Sequence, residues 1–265
     1  MQASAVQTDR SAISPGWDCH VHVFSPTAPV APGHYRPQAA ALETIETLAA
    51  GCGVGHLVLV QPSVYGTDNR LMLQMLGRRP GRHRGVAVLD SSARPGDLQA
   101  MHDAGVRGVR FNLVSPVGNR EAALDALAPL LRELGWHVQW YARAEDLARI
   151  AGLQQRHGLP FVLDHYAGLS PGLPEADPAW AALKRLADQG AWVKLSAPYR
   201  LPGQASPESL QAHGERLADT FGPRVVWGSD WPHTSFTPGS QPDYARLATQ
   251  AATPARHAQA AQLYA

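Results

Sequence analysis

The chain has 265 residues, enough to bury a full core, and 45% of them are hydrophobic, the ordinary share for a globular protein. Its 23 Lys and Arg stand against 22 Asp and Glu, which removes any bulk electrostatic case for nucleic acid or an anionic membrane as partner, and no apolar run reaches the roughly 18 residues of a membrane span. With only two cysteines, Cys19 and Cys52, there is no disulfide framework, so both are expected to be buried thiols in a reducing cytoplasm, and a small molecule is the expected partner.

The opening "MQASAVQTDRSAISPG" lacks the apolar segment of a signal peptide and reads as a tail over 1–16, ahead of one domain over 17–265. The first strand-like run, "WDCHVHVF", places Asp18, His20 and His22 at alternate positions, hence on one face. After the helical "AAALETIETLAAG" comes "HLVLVQPS", a strand ending at Gln61 with Ser63 and Tyr65 in the loop beyond. "NRLMLQMLGRR", "GVAVLD" and "GDLQAMHDAG" follow as helix, strand and helix. "VRGVRFNL" puts Arg110 and Asn112 on one face and Arg107 on the other. "EAALDALAPLLRELG" then leads to "WHVQWYA", which ends in Gln139 and Tyr141, and "AEDLARIAGLQQRHG" leads to "PFVLDHYAG", which ends at His165. Past "PAWAALKRLADQG" the run "AWVKLSAP" offers Lys194 and Ser196, with Arg200 just after. "ESLQAHGERLADTFG" precedes "RVVWGSDW", which ends at Asp230 with His233 beyond, and a helical stretch closes the chain.

Eight strand-then-helix units predict a (β/α)8 barrel, whose catalytic groups project from the C-terminal ends of the strands. The alternative, an open doubly wound sheet, is disfavoured: no Gly-x-Gly-x-x-Gly turn follows the first strand, and the polar residues gather at many strand ends. His20, His22, His165 and Asp230 would thus converge on one mouth. Two chemistries use such a set. One is a divalent metal site, zinc being the natural guest of imidazole and carboxylate. The other works without metal, with imidazoles polarising a carbonyl while the aspartate activates water.

These residues resemble the signature of the amidohydrolase superfamily: the His-x-His of "DCHVHVF", the histidine of "LDHYAG" and the aspartate of "WGSDWPH". "LVLVQPSVYGTDNR", "GVRGVRFN" and the Tyr-Arg of "KLSAPYR" narrow the resemblance to the lactonase branch typified by 2-pyrone-4,6-dicarboxylate lactonase, over nearly the whole chain from Trp17. The resemblance implies a lactone hydrolase on a distorted barrel and, in that branch, a reaction without metal. Metal-binding members usually carry histidine, lysine or glutamate where this chain has Arg110, Asn112, Gln139 and Tyr141, and a cationic Arg110 would oppose a dication.

On this reading Asp230 is the general base, while His20, His22 and His165 steady the oxyanion, at least one of them protonated. Arg110 and Arg200 hold a substrate carboxylate, with Ser63, Tyr65, Tyr141, Asn112 and His233 as further contacts. Lys194 either reaches the site or pairs with Asp18. One departure stands out: Ser115 and Pro116 occupy positions where the branch carries a basic residue for a second carboxylate, and Arg120 lies further along. Alternatives are a lactone isomerase or sugar-acid lactonase on the same scaffold, a zinc-dependent hydrolase or decarboxylase using His20, His22, His165 and Asp230 as ligands, and a non-catalytic acid-binding barrel. The other histidines, and Trp17, Trp136, Trp140, Trp180 and Trp192, are expected to serve surface and packing.

Overall fold

The computed structural model describes residues 13–31, 35–115, 121–203, 205–234, 236–237 and 239–265. Most of the expected tail, together with His34, Pro116 and Arg120, lies outside the described residues. Eight strands follow one another around a single parallel sheet: β1 (Gly16–Val21), β2 (Val54–Val60), β3 (Arg84–Ala87), β4 (Val106–Asn112), β5 (His137–Tyr141), β6 (Phe161–Leu163), β7 (Trp192–Ser196) and β8 (Val225–Gly228). The intervening helices are α1 (Leu42–Ala50), α2 (Arg70–Arg78), α3 (Pro95–Asp103), α4 (Ala123–Glu133), α5 (Leu147–His157), α6 (Pro178–Asp188) and α7 (Pro207–Phe221). Two helices follow β8, α8 (Tyr244–Ala251) and α9 (Pro254–Tyr264). The (β/α)8 expectation is therefore met, and none of the helices among the described residues is long and apolar enough to cross a membrane.

The ring closes just past β8. Asp230 N donates to the His20 carbonyl and His22 N to the Trp231 carbonyl, both at 2.8 Å, with a parallel bridge between Val21 and Trp231. The backbones that carry the paired histidines and the aspartate are thus bonded directly to each other. Gly228 permits this approach: a Cβ there would lie 2.6 Å from the His20 Cβ.

Inside the barrel, Cys19, Val58, Val60, Val86, Val162 and Val226 form a hydrocarbon plug, and Tyr264 and Ala260 of α9 join it with Trp17 and Trp192. Trp17 and Trp192 therefore belong to the interior cluster, whereas Trp136, Trp140 and Trp180 pack in the larger layer between sheet and helices. Cys19 is buried as expected; Cys52 is half-buried.

The register of β1 shifts between Asp18 and Val21. This β-bulge breaks the simple alternation, because one extra residue re-aims the side chains on either side of it. His20 and His22 both face the mouth. Asp18 instead accepts from Ser229 N and from the hydroxyl of Tyr244 on α8, so it ties β1 to the segment after β8 and does not share the volume of the histidines.

Candidate active site

All the non-glycine residues with positive φ among the described residues lie just past β6, β7 and β8: His165 (52°), Tyr166 (54°), Ala167 (57°), Ala197 (45°), Asp230 (63°) and His233 (62°). Left-handed backbone at residues with a Cβ costs on the order of 1–3 kcal/mol each, and such costs gather where side chains must be aimed. Here they aim His165 and Asp230 into the mouth.

Asp230 is fully buried, and its two oxygens have different tasks. Oδ2 accepts from Arg200 Nε and from the Tyr199 hydroxyl, each at 2.7 Å. Oδ1 lies 3.5 Å from His20 Nε2 and 3.4 Å from His22 Nε2, and has no hydrogen-bond partner. The proton positions follow from the far side of each ring. His22 Nδ1 faces the Val60 carbonyl at 2.7 Å, and His20 Nδ1 faces Asp164 Oδ1 at 3.3 Å. Both partners can only accept, so in the tautomers that keep these contacts the ring protons sit on Nδ1 and both Nε2 lone pairs point toward Asp230 Oδ1. Three acceptors therefore surround one point.

His165 is wired the opposite way. Its backbone N–H donates to Ser196 Oγ at 3.3 Å, and the same hydroxyl lies 2.8 Å from His165 Nδ1. In the tautomer in which Ser196 Oγ donates to Nδ1, the ring proton sits on Nε2, and Nε2 has no partner. The ring lies edge-on to Tyr141, with centroids 4.7 Å apart, and 4.9 Å from that of His20.

Behind His20 lies a second buried charge cluster. Asp164 Oδ2 accepts from Arg110 Nε at 3.1 Å and from Gln139 Nε2 at 2.9 Å. Lys194, fully buried, donates to Gln139 Oε1 and the Cys19 carbonyl and lies 3.6 Å from Asp164 Oδ1. Lys194 therefore pairs with Asp164, not Asp18. Burial raises both site carboxyls, but the neighbouring cations prevail: Arg200 holds Asp230 well below the usual carboxylate range, and the charges around Asp164, Lys194 and Arg110 among them, do the same there. Burial pushes His20 well down and His165 to about 3. The expected protonated imidazole is thus found at neither ring, since desolvation outweighs the carboxylates nearby.

The mouth is a cavity of about 310 Å³ whose lining includes His22, Ser63, Arg110, Tyr141, Arg200 and Asp230. His20 and His165 lie beneath it, buried. Asn112 donates to Ser63 Oγ at 2.6 Å while its carbonyl accepts from Val114 N and Ser115 N, so it shapes the rim. Two expected contacts are not brought to the mouth. Tyr65 turns away, its hydroxyl accepting from Ser25 N at 3.1 Å, because the one-turn helix after β2 directs it toward the loop after β1. His233 lies behind Tyr199, with Nδ1 3.0 Å from the Tyr199 hydroxyl, and its backbone N–H donates to the Asp230 carbonyl at 3.0 Å. Sequence reasoning missed Tyr199, Asp164, Tyr35 and Thr234, of which the last two also line the mouth. The available signals were an acid immediately before the strand-six histidine, for Asp164, and the Tyr-Arg of "KLSAPYR", whose tyrosine is Tyr199.

The sequence matches the amidohydrolase family over residues 17–264. The chain belongs to the amidohydrolase family. Among curated relatives, this amidohydrolase is 33% identical to a 2-pyrone-4,6-dicarboxylate hydrolase of Comamonas testosteroni, over 83% of its own length and 77% of the relative's. It is 28% identical to a 4-sulfomuconolactone hydrolase of Hydrogenophaga intermedia, over 86% and 78% of the two chains. A solved structure from Pseudomonas putida, assigned as a 2-pyrone-4,6-dicarboxylic acid hydrolase, superposes with a TM-score of 0.81 at 32% identity, covering 96% of this chain and 98% of that one.

The family invites a test for metal. His20 Nε2, His22 Nε2 and Asp230 Oδ1 fit a divalent cation in kind and spacing: ligands about 2.0–2.1 Å from a tetrahedral zinc stand roughly 3.3–3.4 Å apart. His20, Asp164 and His165 form a second such group. If bound, the ion would polarise a carbonyl oxygen or acidify a water at that point.

Proposed function

We propose that this amidohydrolase opens a carboxylate-bearing lactone by attack of water activated by Asp230, without metal. The observation that carries the reading is the acceptor focus of Asp230 Oδ1, His20 Nε2 and His22 Nε2 beside two guanidinium groups. A water at the focus is held by its hydrogens, which leaves an oxygen lone pair outward toward a lactone carbonyl. As the C–O bond forms, the water proton passes to Asp230 Oδ1, and His165 Nε2–H donates to the developing oxyanion. When the ring C–O bond breaks, Asp230 returns the proton to the leaving oxygen, giving the hydroxy acid or, from an enol lactone, the enol that tautomerises to a ketone.

Arg110 and Arg200, which line the cavity with the Nε of each committed to Asp164 and Asp230, anchor the substrate carboxylate through their outer nitrogens. Ser63 and Tyr141 are the neutral hydroxyls of the same wall. Charge supports the reading without metal. Arg110, Arg200 and Lys194 against Asp164 and Asp230 leave this dry cluster one positive charge in excess, which suits an anionic substrate; a dication would raise the excess to three, at a steep cost where water is excluded.

The test is a set of lactones bearing one and two carboxylates, assayed in ¹⁸O-labelled water with and without a chelator, alongside elemental analysis. Label in the new carboxylate and rates indifferent to chelator are the expected result. Stoichiometric zinc whose removal abolishes turnover would transfer the mechanism to the metal reading, and unlabelled product would make the protein a lactone isomerase.

A further inference from the structure

Behind β7 and β8, on the far side of the sheet from the mouth, lies a partly open cavity of about 440 Å³ between these strands and α7, α8 and α9. Its volume falls in the range of small-molecule sites, roughly 300–1,000 Å³. Leu195 and Trp227 supply an apolar floor, and Leu210 and Leu247 face them from α7 and α8. Gly214 opens the space, since its missing Cβ would stand 3.6 Å from Leu195 and 3.8 Å from the Tyr166 ring.

One end of the cavity is cationic. Arg256 lines it half-buried, one Nη donating to the Ala251 carbonyl, while its remaining donors have no partner and no carboxylate pairs with it among the described residues. Tyr166, only 6% exposed, lines the same space and interacts electrostatically with Arg256, yet its hydroxyl has no hydrogen-bond partner among the described residues. Thr253, the residue that caps α9 by accepting from Arg256 N, lines the same end. A guanidinium and a buried phenol lining one space are an anion's ligands. Glu208 and Glu215 lie at the α7 rim, both exposed to solvent, where water screens them.

We infer that this cavity is a second ligand site, separate from the barrel mouth, and that it takes a small monocarboxylic acid with a flat apolar body: the carboxylate on Arg256 and the Tyr166 hydroxyl, the body between Trp227, Leu195 and Leu247. Its wall includes Ser196, the residue bonded to His165, and Gly228 and Ser229, which lead into Asp230. A ligand there touches the back of the elements that aim the catalytic groups.

The probe is 4-fluorobenzoate, followed by ¹⁹F NMR on the full chain, so the outcome does not depend on turnover and stands apart from the lactonase reading. A bound resonance that weakens about tenfold or more in Arg256→Met is expected, the loss of a charge-assisted pair. Neutral 4-fluorobenzamide should not produce that resonance. Leu247→Trp, which fills the cavity from its half-exposed edge, should abolish it and decides the matter if Arg256→Met does not fold. Bound signals that survive Leu247→Trp unchanged, or no bound signal beyond one lost in Arg110→Met, would overturn the proposal.

Discussion

Replacing Asp230 by Asn separates chemistry from architecture. The amide oxygen of Asn can still accept from Arg200 Nε and the Tyr199 hydroxyl, as Oδ2 does now at 2.7 Å. The amide NH2 then faces His20 Nε2 and His22 Nε2, which stand 3.5 and 3.4 Å from Oδ1. It meets two lone pairs, so the substitution leaves no buried donor unmet and gives Oδ1's place to a group that can bond. Losing the carboxylate leaves the largely buried Arg200 without its counter-charge, so stability should fall by about 3–5 kcal/mol, while carboxylate binding should persist because Arg110 and Arg200 remain. The base is lost, and general-base catalysis contributes typically about 10²–10⁴-fold, or roughly 2.7–5.5 kcal/mol of barrier. The assay is steady-state turnover on the best lactone of the screen, with ligand binding measured in parallel. A fall in kcat of less than about tenfold, with the variant folded and binding intact, would refute the role given to Asp230.

Gly228→Ala would force its Cβ to within 2.6 Å of the His20 Cβ and 2.8 Å of its backbone nitrogen; the resulting shift of β1 should cost about 1–3 kcal/mol of stability and tenfold or more in kcat, whereas Gly152→Ala, with nothing within 4 Å, should cost neither, as denaturant melts and kinetics will check. Tyr65→Phe should leave kcat and KM nearly unchanged, because its hydroxyl serves Ser25 and not the mouth; a KM raised tenfold would restore it to substrate binding. Acid should destabilise the fold well above the carboxylate range: burial lowers His165 and His137 to about 3, so below an unfolded value of about 6.5 the unfolded chain binds more protons and each ring removes up to about 1.4 kcal/mol per pH unit. Asp18, raised to about 6 by burial, works in the opposite sense between about pH 6 and 4, so Asp18→Asn should steepen the loss on acidification, measured as unfolding free energy against pH.

The ring of eight units was legible because each strand is a short apolar run and each helix repeats its apolar face, and those periods survive in a single sequence. The mouth was legible for the same reason, since strand ends in a barrel converge whatever the loops do. What the sequence concealed sits where the backbone departs from its period. The bulge in β1 separates Asp18 from His20 and His22 although alternation groups them. Tyr199 and His233 sit in short turns past β7 and β8, where the left-handed φ of Ala197 and His233 redirects the chain in a way no alternation predicts. Lys194 looked equally suited to Asp18 and to the mouth; only the three-dimensional register shows it beneath Asp164. Burial lowers the proton affinity of His20 and His165, which a sequence conceals because it shows which carboxylates are near in type but not how completely water is removed.

The same burial creates a tension that the substrate itself resolves. Arg200 lowers the proton affinity of Asp230, and a carboxylate so stabilised is a weak base. In the proposed mechanism, a substrate carboxylate docked on Arg110 and Arg200 would offset the guanidinium field felt by Asp230 and exclude the remaining water, and both changes would raise the affinity of Asp230 for a proton. The base is therefore strengthened by the ligand whose carbonyl it serves, and a lactone lacking the carboxylate should lose kcat as well as binding. In pH profiles the acid limb of kcat should lie at higher pH than that of kcat/KM, because the former reports Asp230 beside bound anion and the latter Asp230 beside Arg200 alone. Coincident limbs would mean that the anchoring carboxylate and the base do not share the guanidinium, and the placement of the substrate against Arg200 would have to be abandoned.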